Sequence, residues 1–148
     1  MLLIRNNIRA YLLSICVFSF LSLLVSCAST PLPSSINIIS PSQNVPSEFA
    51  AFSGKWEGKW NNYLDGMLIV ERIDEKNADI IISWGEVYGL KKGFLEATVD
   101  VLPGPTLIYE DEINRWTYKM NDDLKSISGE IFEKAPKARM KALMKKVH

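Results

Sequence analysis

Few side chains in this 148-residue chain can do chemistry at neutral pH, and their positions limit what that chemistry is. The one histidine, His148, is the last residue, where a chain end frays, so Ser-His and Cys-His nucleophile pairs and histidine-based metal sites are not expected. The two cysteines, Cys16 and Cys27, both precede residue 28, which leaves the rest of the chain without thiol, disulfide or Cys-metal chemistry. The acidic groups Glu110-Asp111-Glu112 and Asp122-Asp123 have the right chemistry for Ca²⁺ or for a glycosidase pair. Both fall at turn signals and are read as solvated loop charge. Gly85, Gly89 and Gly93 flank Glu86, Tyr88, Lys91 and Lys92 without a phosphate-loop order, and read as a long connection able to form a lid. What remains is aromatic. Trp56, Trp60, Trp84, Trp116 and Tyr118 could line an apolar cavity with a few polar tips, which is binding chemistry rather than catalysis, and neither cofactor nor metal is expected.

The elements that position these aromatics follow from period-two alternation. Trp56, Gly58 and Trp60 oppose Lys55, Glu57 and Lys59; Ile80, Ile82 and Trp84 oppose Asp79, Ile81 and Ser83. Leu95, Ala97, Val99 and Val101 oppose Phe94, Glu96, Thr98 and Asp100. Trp116, Tyr118 and Met120 oppose Arg115, Thr117 and Lys119, and Ile127, Gly129 and Ile131 oppose Ser126, Ser128 and Glu130. Residues 66–73 and 106–110 read as strands with less contrast. Turns are expected at Leu64-Asp65-Gly66, Asp74-Glu75-Lys76-Asn77, Pro103-Gly104-Pro105, Asp111-Glu112 and Asn121-Asp122-Asp123. Residues 137–147 fit a helix through Met140, Leu143, Met144 and Val147, and fit a strand almost as well, with Ala138, Met140, Ala142 and Met144 on one side. An eighth strand pairs first with last and abolishes both sheet edges, which favours the strand. The expectation is all-β: an antiparallel up-and-down barrel of about eight strands over residues 48–148. All five aromatics point inward in that barrel, where they either line a cavity or fill a narrow interior.

Charge divides the chain. The totals balance, 17 basic against 17 acidic, which gives no general affinity for nucleic acid, yet no charged residue lies between Arg9 and Glu48. Arg5 and Arg9 precede the uncharged run Ala10 to Ser26, a signal-peptide layout; an uncleaved membrane helix is the competing reading. Residues 28–47 carry Pro31, Pro33, Pro41 and Pro46 among serines and asparagines and read as a flexible linker with a reach of roughly 60 Å when extended. At the other end, Lys134 to His148 holds six basic residues and no acid, a segregation able to meet anionic lipid or cell-wall polymer, or a strand face neutralised by acidic neighbours.

Two resemblances add to this. Leu24-Val25-Ser26-Cys27 resembles the lipobox of bacterial lipoproteins. That likeness implies diacylglycerol on the Cys27 sulfur, cleavage before Cys27, and a lipid-anchored mature chain in which residues 1–26 are the signal peptide and 27–47 the linker. Ala28, where an Asp would mark inner-membrane retention, implies the outer membrane, facing the periplasm, in a Gram-negative source. Phe52-Ser53-Gly54-Lys55-Trp56 resembles the opening of calycin barrels, the lipocalins among them. In lipocalins an Arg of the last strand lies over the Gly-x-Trp indole and closes one barrel end; by that resemblance Trp56 and Arg139 are the closing pair. The expected function is non-catalytic binding of a small apolar ligand or an envelope component, with interaction through the outer barrel wall as the alternative and a barrel-mouth carboxylate enzyme as a weaker one.

Overall fold

The structure, a computed structural model, describes residues 30–87 and 89–147. The apolar run, Cys27, Tyr88 and His148 lie outside the described residues.

Eight strands follow one another in sequence: β1 Gly54–Trp60, β2 Leu64–Ile73, β3 Asn77–Trp84, β4 Gly93–Leu102, β5 Thr106–Glu110, β6 Asn114–Met120, β7 Ser126–Glu133 and β8 Ala138–Val147. Each pairs antiparallel with the next, and β8 returns to β1, so the sheet is a closed up-and-down barrel. Residues 137–147 resolve to a strand along nearly their whole length, paired with β7 from Ser126↔Lys145 to Glu133↔Ala138. The seam with β1 holds Lys55↔Val147, Trp56↔Lys146 and Glu57↔Lys145, and the Asn61 N–H donating to the Lys141 carbonyl at 2.8 Å continues it. The excess positive charge of β8 meets acidic neighbours on both sides, with Arg139 bonded to Glu130 at 2.6 Å and Lys145 opposite Glu57 in register.

The first hairpin differs from the sequence expectation. Its turn is Asn61–Tyr63, with Asn61 and Asn62 at φ 47° and 67°, and β2 already begins at Leu64. Two consecutive left-handed residues match the twist of a tight hairpin, and asparagine tolerates them. Gly66 does not turn the chain. A Cβ there would run into the Trp60 indole, and one at Gly129 would stand 2.8 Å from the same ring, so two glycines on β2 and β7 make room for this tryptophan.

The two ends are unlike. At one, where β1 begins and β8 ends, a single-turn helix α1 (Ser47–Ala50) leads into Phe52, which is fully buried, and Phe49 and Ala51 pack with it onto the core. That end is plugged. At the other lie the Asn61–Tyr63 turn and the connections β3–β4, β5–β6 and β7–β8, and there the interior is open.

The proline-rich segment is not a free linker. The Ser83 hydroxyl donates to the Pro31 carbonyl at 2.5 Å, the Ile39 N–H donates to the Glu71 carbonyl at 2.7 Å, and the Asn37 N–H donates to the Glu71 carboxylate. Between these points Ile36 packs on Met67, Ile69 and Ile81, which form a second apolar cluster outside the barrel wall. The cause is parity: those three residues occupy outward positions on β2 and β3, and burying them against a strap removes apolar surface from water. The strap takes up most of the length that the sequence reading assigned to a free linker.

Candidate functional site

The barrel interior carries a column of aromatics built from inward positions of β1, β3 and β6. Trp60 makes edge contacts with Trp116 at 5.6 Å and with Tyr118 at 6.1 Å between ring centroids, and Trp84 lies 6.0 Å from Trp116 at an interplanar angle of 35°. Trp60 and Tyr118 are sealed mid-barrel. Trp116 and the half-buried Trp84 reach the open end, and there they line a pocket of about 250 Å³ together with Leu64, Leu90, Leu95, Ile131 and Met140.

Trp56 stands apart. It is fully buried at the plugged end, its indole N–H donating to the Phe52 carbonyl at 2.7 Å, and it is no part of the pocket. Arg139 is not its partner. Arg139 sits near the start of β8, by the open end, with its guanidinium bonded to Glu130 and 4.9 Å from the centroid of Phe132. The cation over Trp56 is Lys146, whose Nζ lies 5.1 Å from the indole centroid and donates to the Ala51 carbonyl at 3.1 Å. Geometry leaves no other choice: Trp56 is near the first residue of β1, and antiparallel pairing brings the end of β8 beside it. Of the five aromatics expected to line a cavity, the structure brings Trp84 and Trp116 to it.

Sequence reading missed the pocket's other residues. Leu90 belongs to the glycine-rich connection, where Val87 and Leu90 exchange backbone hydrogen bonds at 3.1 and 2.9 Å and Gly89 takes φ +82°. The Trp84 indole N–H donates to the Lys91 carbonyl at 3.0 Å, tying this connection to the pocket wall. Asp111, Asn114 and Glu133 supply the polar rim. The Asp111 carboxylate is held by the N–H groups of Ile113 and Asn114 at 2.7 and 2.6 Å, and Asp74 and Asp123 accept from their own turns in the same way. Both acidic clusters therefore sit at turns, and among the described residues no group of acids, His or Cys is placed to hold a metal ion.

Two polar atoms inside the barrel have no hydrogen-bond partner in the protein: the Trp116 indole N–H and the Tyr118 hydroxyl. Burial raises the Tyr118 phenol well above its ordinary pKa, so it stays neutral. An unpaired buried polar group costs free energy. On the outer wall a shallower groove of about 420 Å³ runs over Thr117, Lys119, Ser128, Glu130 and Lys141.

Geometry and charge thus define a closed eight-stranded barrel with one plugged end and one aromatic-lined mouth. No protein-family model matches this chain, and no curated protein matches it.

Proposed function

We propose that this protein is an exported, lipid-anchored barrel that binds a small apolar ligand at its open mouth and performs no chemistry on it. The observation that supports the reading is the pocket itself, walled by Trp84, Trp116, Leu95, Ile131 and Met140 and open at one end only of the barrel. Its volume of about 250 Å³ exceeds the roughly 150 Å³ of an engineered apolar cavity that holds benzene, so the guest is on the order of ten non-hydrogen atoms, or one end of a longer chain. The lipobox-like Leu24-Val25-Ser26-Cys27 supports the anchor, and the Gly54-Lys55-Trp56 opening of a closed barrel supports the likeness to calycins.

Native mass spectrometry of the mature chain taken from its own membrane tests this. A small molecule should travel with the wild type and be missing from Leu95→Trp, which fills the pocket. A wild type that arrives empty and takes up no apolar fluorescent probe sinks the ligand reading. The groove over Lys119, Glu130 and Lys141 and the exposed Leu143 beside it support a second reading, contact with an envelope component through the outer wall.

A further inference from the structure

Between Pro31 and Ile39 the strap runs the length of the barrel wall, and it has a direction. Pro31 is fixed to Ser83, one residue from the mouth end of β3, whereas Ile39 is fixed to Glu71, two residues from the plugged end of β2. The chain therefore reaches the body at the mouth, descends the outside and turns in through α1 to close the far end. Cys27 precedes Pro31 by four residues, a span of at most about 14 Å. An anchor of either kind, a lipid on Cys27 or an apolar helix ending at Ser26, would be tied within that distance of Pro31 and so of the mouth.

The mouth is built for that neighbourhood. Three of its loops each expose one large apolar side chain: Tyr63 at 57%, Leu90 at 41% and Ile113 at 60%. Phe94 and Leu32 stand exposed beside them. Toward the plugged end, Ile38 and Ile39 of the strap (40% and 49%), Leu102 (37%) and Leu124 (39%) are exposed, none as far as Tyr63 or Ile113, and Leu124 follows Asp122 and Asp123 directly. Charge follows the same axis. The loops of the mouth hold four lysines against three carboxylates, with Lys91, Lys92 and Lys137 exposed, whereas those of the plugged end hold four carboxylates against two lysines. The barrel wall is a poorer face for lipid, since the outward residues of β1, β6 and β8 are charged apart from Thr117, Leu143 and Val147, and Leu143 at 58% stands among Lys141, Lys145 and Lys119.

We infer that the mouth of the barrel docks on a phospholipid bilayer, with Tyr63, Leu90 and Ile113 entering the interface, the exposed lysines meeting anionic headgroups, and the strap holding the barrel in this orientation. Apolar and aromatic tips beside lysines are the residue set that partitions to the headgroup boundary, and anionic lipid attracts the lysines. In this orientation the pocket opens onto lipid rather than water. The inference rests on the membrane-anchor reading of the N-terminal segment, and the experiment separates the two.

The full, processed chain is reconstituted into vesicles of phosphatidylethanolamine and phosphatidylglycerol that contain a nitroxide-labelled lipid. Ile113→Cys at the mouth or Asp122→Cys at the plugged end carries a polarity-sensitive fluorophore, with the labelled unsubstituted chain as background. Flotation with the vesicles reads the anchor; quenching reads the orientation. The expected result is flotation of both variants, with a blue shift and several-fold stronger quenching at position 113 than at 122. A chain that does not float overturns the anchor and the inference together. Flotation with equal quenching, or with stronger quenching at 122, overturns the orientation alone. Ile36→Asp, placed in the Ile113→Cys chain, frees the strap and lengthens the tether; flotation should persist while quenching at 113 falls, and unchanged quenching overturns the strap's part.

Discussion

The ammonium of Lys146 and the indole of Trp56 face each other 5.1 Å apart across the seam between the last strand and the first. Burial lowers the Lys146 pKa, because the charge is partly withdrawn from water. Trp56→Ala should cost about 3 to 5 kcal/mol in chemical denaturation, as expected for truncating a fully buried Trp. In a double-mutant cycle, Trp56→Leu with Lys146→Met should show a coupling of about 0.5 to 1 kcal/mol. The same cycle with Arg139→Ala should show none. Coupling to Arg139 in place of Lys146 would reverse the assignment.

Trp60 fixes the register of the interior by occupying the space above Gly66 and Gly129. Gly129→Ala places a methyl group 2.8 Å from the indole, and the expected loss is about 1 to 3 kcal/mol, the usual cost of overpacking. Urea denaturation checks it; a loss below about 0.5 kcal/mol, the range of an indifferent surface change, would mean that Trp60 has room to move.

The strap and the barrel are expected to be separable in amide hydrogen exchange. The Asn37 and Ile39 N–H groups should be protected through their bonds to Glu71, and Ile81→Ser should abolish that protection while leaving the β6–β7 amides slow. Equal loss across both regions would show that the strap is part of the barrel's own cooperative unit.

Stability should fall on both sides of neutrality, by different groups. Asp74 and Asp123 are held below the usual carboxylate range first by backbone N–H bonds, and Glu110 first by Lys134 and then by Arg115. A lowered pKa in the folded state gives stability that is present above the unfolded value and lost as pH falls through the folded one. Denaturation midpoints should therefore drop in acid, beginning near pH 4, with Asp123→Asn showing a shallower decline. Tyr118 has the opposite sign. Its raised phenol pKa gives stability that is intact below pH 10 and lost as pH climbs from there toward the folded value, and Tyr118→Phe should remove that alkaline loss. The same change deletes an unpaired hydroxyl, so at pH 7 it should be neutral or stabilising.

Strands were legible in the sequence wherever one face is apolar and the other polar, as in β1, β4, β6 and β7. β2 read with poor contrast for a physical reason: Met67 and Ile69 are outward residues that the strap buries, so both faces of that strand are apolar. Ile81 on the polar side of β3 was the matching sign, and together the three mark a covered patch. The first turn was misplaced because Asp65-Gly66 is a stronger turn signal than Asn61-Asn62, while Gly66 in fact serves the Trp60 ring. Parity could have identified Lys146, which shares the inward register of Met140, Ala142 and Met144 at the strand end nearest Trp56; Arg139 is on the outward register at the opposite end. The pocket was half legible. Its two tryptophans follow from alternation, but which end of the barrel stays open depends on where α1 and Phe52 fold, and nothing in the period-two pattern records that.

The β1–β8 seam also dictates when folding can finish. Every other pairing in the barrel joins neighbours in sequence, so each hairpin can form as soon as its second strand is available. The seam alone joins residues about ninety positions apart, from Lys55 to Val147, and its closure entropy is met only at the end. Until the final ten residues are in place the chain is a curled sheet with two unpaired borders, the form in which it is most open to pairing with another copy of itself. A chain shortened by even part of β8 would keep its hairpins and lose its closure, and it would be caught by proteases or by its own kind rather than persist as a looser barrel.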